Sequence, residues 1–188
     1  MGIFDSILGR SKPAPANLDV LFAVPQAALT LQSQGFTFSG SGAVCYRPAE
    51  GAAFATTETE AEGLLNADGG QPVAKSDDRF GFRWMTLTHQ PDDVAGLVTD
   101  LHAVNASLTD AGFGTALLCS TVNFMTPDKK PFALVYLYKR GTFYPFAPAG
   151  TDHRDNALEL QLKGLISEDV PVESELNRWL AIWGAPGL

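Results

Sequence analysis

Apolar and aromatic positions are densest over residues 132–148. Phe132, Leu134, Val135, Tyr136, Leu137 and Tyr138 run up to a Lys139-Arg140-Gly141 break, and Thr142, Phe143, Tyr144 and Phe146 follow it. Aromatic and branched side chains suit a pleated, half-buried surface. A short polar break with glycine between two such runs predicts a hairpin. Strand alternation sends its aromatics to both faces of a sheet. With helices on one face only, Tyr138, Phe143 and Tyr144 would form an exposed contact surface, since exposed apolar patches mark interaction sites. A sheet covered on both faces is the plainer alternative.

Helical periodicity is clearest in Val94, Leu97, Val98, Leu101, Val104 and Leu108, spaced along one face. Pro91 suits a first helical position, Asp92 and Asp93 complement the dipole, and Gly112 closes the helix. Nearer the start, Asn17 reads as the cap of a helix carrying Leu18, Leu21, Phe22, Val24, Ala28, Leu29 and Leu31. Pro25 starts or kinks that helix, which ends at Gln34-Gly35. Residues 57–67 form another helix, capped by Thr56 or Thr57. Short strands are expected at 36–38 and 43–47 around a Ser-Gly-Ser-Gly turn, and at 52–55, 73–75, 80–88 and 115–124. After the hairpin, Thr151 or Asp152 caps a helix that turns Ala157, Leu158, Leu162, Leu165 and Ile166 inward. Pro171 opens a second helix with Val172, Leu176, Trp179, Leu180 and Trp183 on one stripe. Runs of strands joined by short turns favour an α+β fold. The expected architecture is an antiparallel sheet of short strands and an aromatic hairpin, packed by helices, with two C-terminal helices.

The first sixteen residues stand apart. Ile3, Phe4, Ile7 and Leu8 recur at helical spacing before Arg10 and Lys12, and Pro13-Ala14-Pro15-Ala16 is a stiff spacer. Such a segment can lie in a membrane interface or dock on a partner. Two turns bury little apolar area, so packing on its own domain is the competing reading. Residues 17–188 then make a single domain, as a 188-residue chain favours.

Composition narrows the function classes. Hydrophobic residues at 45% and charged residues at 18% fit an ordinary globular protein. The net charge of −8 repels phosphate backbones, so no nucleic-acid partner is expected. Cys45 and Cys119 both lie in apolar strand contexts and read as buried free thiols, which suits a reducing cytoplasm. The sequence has no apolar run long enough to span a bilayer and no signal-peptide core, so a cytoplasmic location is expected.

Candidate chemistry is sparse. His89, His102 and His153 show no metal-ligand spacing, so neither a metal nor a cofactor is expected. Gly40-Ser41-Gly42 lacks the strand–loop–helix context of a phosphate cradle. A small cysteine-dependent hydrolase or transferase would use Cys119 with His102, which lie on consecutive elements. A reactive thiol needs an electropositive, partly exposed setting, whereas the Ala-Leu-Leu-Cys-Ser-Thr-Val context of Cys119 predicts burial. No catalytic residue is therefore assigned. The densest polar cluster is Asp152-His153-Arg154-Asp155-Asn156, at the expected start of a helix. His153 and Arg154, joined by Lys139 and Arg140 from the hairpin tip, could hold an anion or a partner's carboxylate. Capping and solvated charge is the plainer account.

Three stretches together resemble the PspA-associated protein PspAB family of actinobacteria. They are MGIFDSILGRSKPAPANLDVLFAVPQAALTL at the start, GLVTDLHAVNASLTDAGFG in the middle, and VYLYKRGTFYPFAP followed by RDNALELQLKG and RWLAIWGAPGL at the end. The resemblance covers nearly the whole chain. It implies a link to the phage-shock envelope-stress response, with PspA-like proteins or an HtpX-type membrane protease as partners, and it carries over no catalytic residue. The expectation is a non-enzymatic adaptor that acts by protein contact at the inner membrane face. Its contact residues would be Ile3, Phe4, Ile7, Leu8, Tyr138, Lys139, Arg140, Phe143, Tyr144, His153 and Arg154, with membrane contact through residues 1–12. The alternatives are the cysteine enzyme and an anion- or small-ligand-binding module.

Overall fold

The computed structural model describes residues 16–67 and 71–188. A 3-10 segment, Leu18–Ala23, leads into α1 (Val24–Ser33), whose Pro25 sits in the first turn. Then come β1 (Thr37–Tyr46), α2 (Ala52–Ala67), β2 (Ala74–Asp77), β3 (Arg83–Thr88) and α3 (Val94–Leu108). The chain closes with β4 (Leu117–Met125), β5 (Pro131–Leu137), β6 (Thr142–Phe146) and α4 (Asn156–Ile166). The six strands form one sheet in the order β2-β3-β1-β4-β5-β6, every neighbouring pair antiparallel. The fold is α+β, with the aromatic hairpin as β5–β6.

All four helices pack on one face of the sheet. Leu31, Phe54, Leu101 and Leu162, one from each helix, share a core with Val44, Phe124, Phe132 and Leu134 of the strands. Each large apolar side chain buried here contributes about 1.5–3 kcal/mol. Asp93 caps α3 by accepting from the Gly96 N–H at 2.8 Å. The cap of α4 is Asp155, not the expected Thr151 or Asp152, and it accepts from Leu158 N at 3.0 Å. Residues 149–153 instead turn back on themselves, with Ala149 N donating to His153 O.

Three local expectations are corrected. The Ser-Gly-Ser-Gly stretch is not a turn between two strands but the interior of one ten-residue strand, β1. Phe38 pairs with Phe124 and Gly42 with Val122, so three residues of β1 oppose one of β4 in a bulge. Gly40 adopts φ +81° there, and a Cβ on Gly42 would lie 2.4 Å from Thr121 O and 2.9 Å from Leu97. The glycines let α3 sit close on the central strand, and the bulge keeps the strand continuous. Residues 52–55, expected as a strand, are the first turn of α2. Phe54 points into the helical-side core, stacking edge-on against Phe113 at 5.0 Å.

The third correction concerns the C-terminus. Residues 171–188 do not form a helix; only Leu176–Arg178 make a single 3-10 turn. The segment runs as an extended strap. It begins alongside β6, where Phe143 N donates to Pro171 O and Glu173 N to Phe143 O. It then crosses the sheet face opposite the helices. Trp179, Trp183, Ala185 and Leu188 cover Ala43, Trp84, Val135, Tyr144 and Phe146. The apolar residues read as a helical stripe are instead spread along an extended chain that lies on this face.

Candidate functional site

The expected contact residues are scattered. Ile3, Phe4, Ile7 and Leu8 lie outside the described residues. Tyr138, Phe143 and Tyr144 are buried, contrary to the exposed surface expected of them. The reason is the double cover: Phe143 packs with the helices and Tyr144 lies under the strap, stacked on Trp179 at 5.9 Å. Their polar ends are also used. The Tyr138 and Thr109 hydroxyls are 2.9 Å apart, and the Tyr144 hydroxyl donates to Leu180 O at 2.9 Å. Lys139 and Arg140 are exposed on the β5–β6 turn, and His153 is exposed on its loop.

Arg154 is turned inward rather than toward a ligand. Its Nε donates to Glu159 at 2.9 Å, Nη1 donates to Trp179 O, and the guanidinium lies over the Phe146 ring. It ties α4 to the strap, so the expected anion site at this helix start has lost its strongest cation. Glu173 does similar work at the strap's beginning, accepting from Thr142, Arg140 and the Glu175 N–H. Burial raises its pKa, but those donors outweigh it and hold the carboxyl below its ordinary value.

Between sheet and strap lies an apolar cavity of about 300 Å³. Its floor is Cys45, Trp84 and Cys119; its roof includes Ile182 and Trp183; Lys139 and Arg140 stand at one side. A second irregularity of the β1–β4 pairing shapes the floor. Cys45 pairs with Cys119 but Tyr46 pairs with Leu117, so Leu118 is bulged out of register. Leu118 and Cys119 therefore both face the strap side. The two free thiols are directly opposite across the strands. The hydrogen bond with Cys119, then burial, pushes the Cys45 thiol far up, which disfavours a nucleophilic thiolate. His102 lies on α3, on the other side of the sheet, against Phe22 and Asp19. The Cys119–His102 pair considered from sequence is thus split by the sheet.

A second polar arrangement was not anticipated. His89 is held between two carboxylates, with Nδ1 2.8 Å from Asp93 and Nε2 2.9 Å from Asp100. Burial lowers the imidazole's pKa, but both aspartates raise it more, and the net shift is upward. The spacing of Asp93 and Asp100, one heptad apart on a helix, was the available signal; the missing part was that β3 ends beside it. Glu58 forms a comparable internal knot, accepting from the Tyr46 hydroxyl at 2.5 Å and from Arg83 at 3.1 Å, which fastens α2 to β1 and β3. Among the described residues no group of three or more His, Cys, Asp and Glu side chains is placed to hold a metal ion. No helix among them is long and apolar enough to cross a membrane.

These features define an α+β protein built on one antiparallel sheet, with helices on one face and a strapped apolar cavity on the other. Comparison with curated proteins and with solved structures finds no match. A family model does match, over residues 1–187: the chain belongs to the PspAB family, PspA associated protein B.

Proposed function

We propose that this chain is an accessory protein of a PspA-type envelope-stress response. It acts by contact with a protein partner, PspA-like or a membrane protease, near the inner face of the membrane. The observation that carries this reading is the family match, which extends over nearly the whole chain, N-terminal segment included. The separation of Cys119 from His102 by the sheet supports a binding role over cysteine chemistry. The contact surface combines Ile3, Phe4, Ile7 and Leu8 with the exposed cations Lys139 and Arg140. Deletion of residues 1–12 tests it. The shortened chain should fold with unchanged circular dichroism yet lose capture of a PspA-like partner and membrane co-fractionation. Unchanged capture and fractionation would refute the assignment of that segment.

A further inference from the structure

We infer that the cavity beneath the strap is a binding site for a small anionic amphiphile, its apolar body against Trp84, Cys119 and Ile182 and its head group at Lys139. This goes beyond the adaptor reading, with which it shares Lys139.

The size comes first. The space measures about 300 Å³ and opens to solvent between the sheet and the strap. That is at the lower end of ligand sites, which span roughly 300–1,000 Å³. The space suits a ligand body of medium chain length.

The polar groups on its wall decide the head group. Asp78 faces the cavity, but both its oxygens are used: Oδ1 accepts from Phe80 N and Phe82 N, and Oδ2 from Trp84 Nε1. The Tyr144 hydroxyl is spent on Leu180 O. Arg140 is shared with Glu173. Lys139 is exposed and, among the described residues, has no carboxylate within ion-pair distance. Two more cations stand behind the rim: Arg47 lies over the Phe82 ring and Arg79 over the Phe80 ring, each at 4.9 Å. Both rings line the cavity. Of the thirteen basic residues of a chain with net charge −8, Lys139 and Arg140 line this apolar opening. The Asp78 carboxylate is already held by three N–H donors, so Lys139 is the charge at the opening left to attract an anion. The exposed Phe80 and Leu180 at the opening favour an apolar body entering behind that ion.

Calorimetric titration of the full chain with monomeric decanoate tests this, with fluorescence of Trp84 and Trp183 as a second readout. Decanoate should bind one to one and change the tryptophan emission. Decyltrimethylammonium, with the same tail and opposite charge, should bind at least tenfold more weakly. Lys139→Glu, on an exposed turn where folding is not at risk, should weaken decanoate at least tenfold, and Cys119→Phe should fill the floor and abolish binding. Absence of decanoate binding, equal binding of both head groups, or binding to phosphatidylglycerol vesicles without binding of monomeric decanoate would each overturn the assignment. So would decanoate binding unaffected by Lys139→Glu. No partner protein is present in this titration, so its failure leaves the adaptor reading untouched.

Discussion

Replacing Glu173 with glutamine tests how the strap is fastened to the sheet. The Glu173 side chain is 2% exposed. Oε1 accepts from Glu175 N at 3.1 Å, while Oε2 accepts from Thr142 Oγ1 at 3.1 Å and Arg140 Nε at 3.3 Å. Glutamine can keep the first bond, and the Thr142 hydroxyl can rotate to accept from the new amide. The Arg140 bond has no such remedy, because an N–H would then face an N–H. A hydrogen bond to a charged group is worth about 1.5–3 kcal/mol. Arg140 and Arg178 are 49% and 41% exposed, so solvent screens the ionic part to about 0–1 kcal/mol per pair. The expected loss at pH 7 is therefore about 2 kcal/mol. With a urea m-value of about 2 kcal/mol/M, the unfolding midpoint falls by about 1 M at unchanged slope. The pH dependence supplies the sharper check. The carboxyl's folded pKa lies below its ordinary value of 4.5. Its contribution is then fully present above the unfolded pKa and lost as pH falls through the lowered folded value. The gap between wild type and Glu173→Gln should be constant from neutral pH down to about pH 5 and close in more acidic solution. A gap under about 0.5 kcal/mol at pH 7, or one that persists unchanged at pH 3, would refute the argument.

Three further outcomes are expected. His89 has a folded pKa above its ordinary 6.5, so its contribution is present below the unfolded value and lost as pH rises through the folded one; imidazole titration by NMR should give a raised midpoint, and His89→Gln should approach wild-type stability as pH increases. Gly42→Ala places a methyl 2.4 Å from Thr121 O and should cost about 1–3 kcal/mol or more in chemical denaturation, whereas Gly63→Ala, with open space around it in exposed α2, should gain about 0.5–1 kcal/mol. The Cys45 thiol, its pKa pushed far up by Cys119 and by burial, should be alkylated slowly by iodoacetamide at neutral pH in the native state and fast once unfolded; rapid native-state alkylation would revive the cysteine-enzyme reading.

The parts legible in the sequence are those where local pattern and tertiary demand agree. The α3 stripe needed one face only, and the Lys139-Arg140-Gly141 break marks its hairpin because both flanking runs are strongly β-forming. Elsewhere the pattern was ambiguous or overruled. Ala52 to Ala55 is a short apolar run that suits either element, and its continuation into α2 decided the matter. The glycines of β1 read as a turn because their real reason, the closeness of Leu97 and Thr121, comes from elements far along the chain. Val172, Leu176, Trp179, Leu180 and Trp183 fit a helical stripe, yet Glu173, Trp179 and Leu180 each bond to groups outside the strap or across its own turn. The cavity was invisible for the same reason: its floor, its roof and its cations come from five separate stretches, and only the sheet brings them together.

The strap also has a consequence for how the chain is made. It is synthesised after every strand it covers. Between the end of α4 at Ile166 and Gly187 lie about twenty residues, which translation adds in about 1–4 s at ~5–20 residues per second. Until the strap docks, Trp84, Tyr144 and Phe146 of the assembled sheet are bare to solvent. The nascent protein thus passes through a stage with one finished face and one adhesive face, and chaperone demand or aggregation during synthesis should centre on that window.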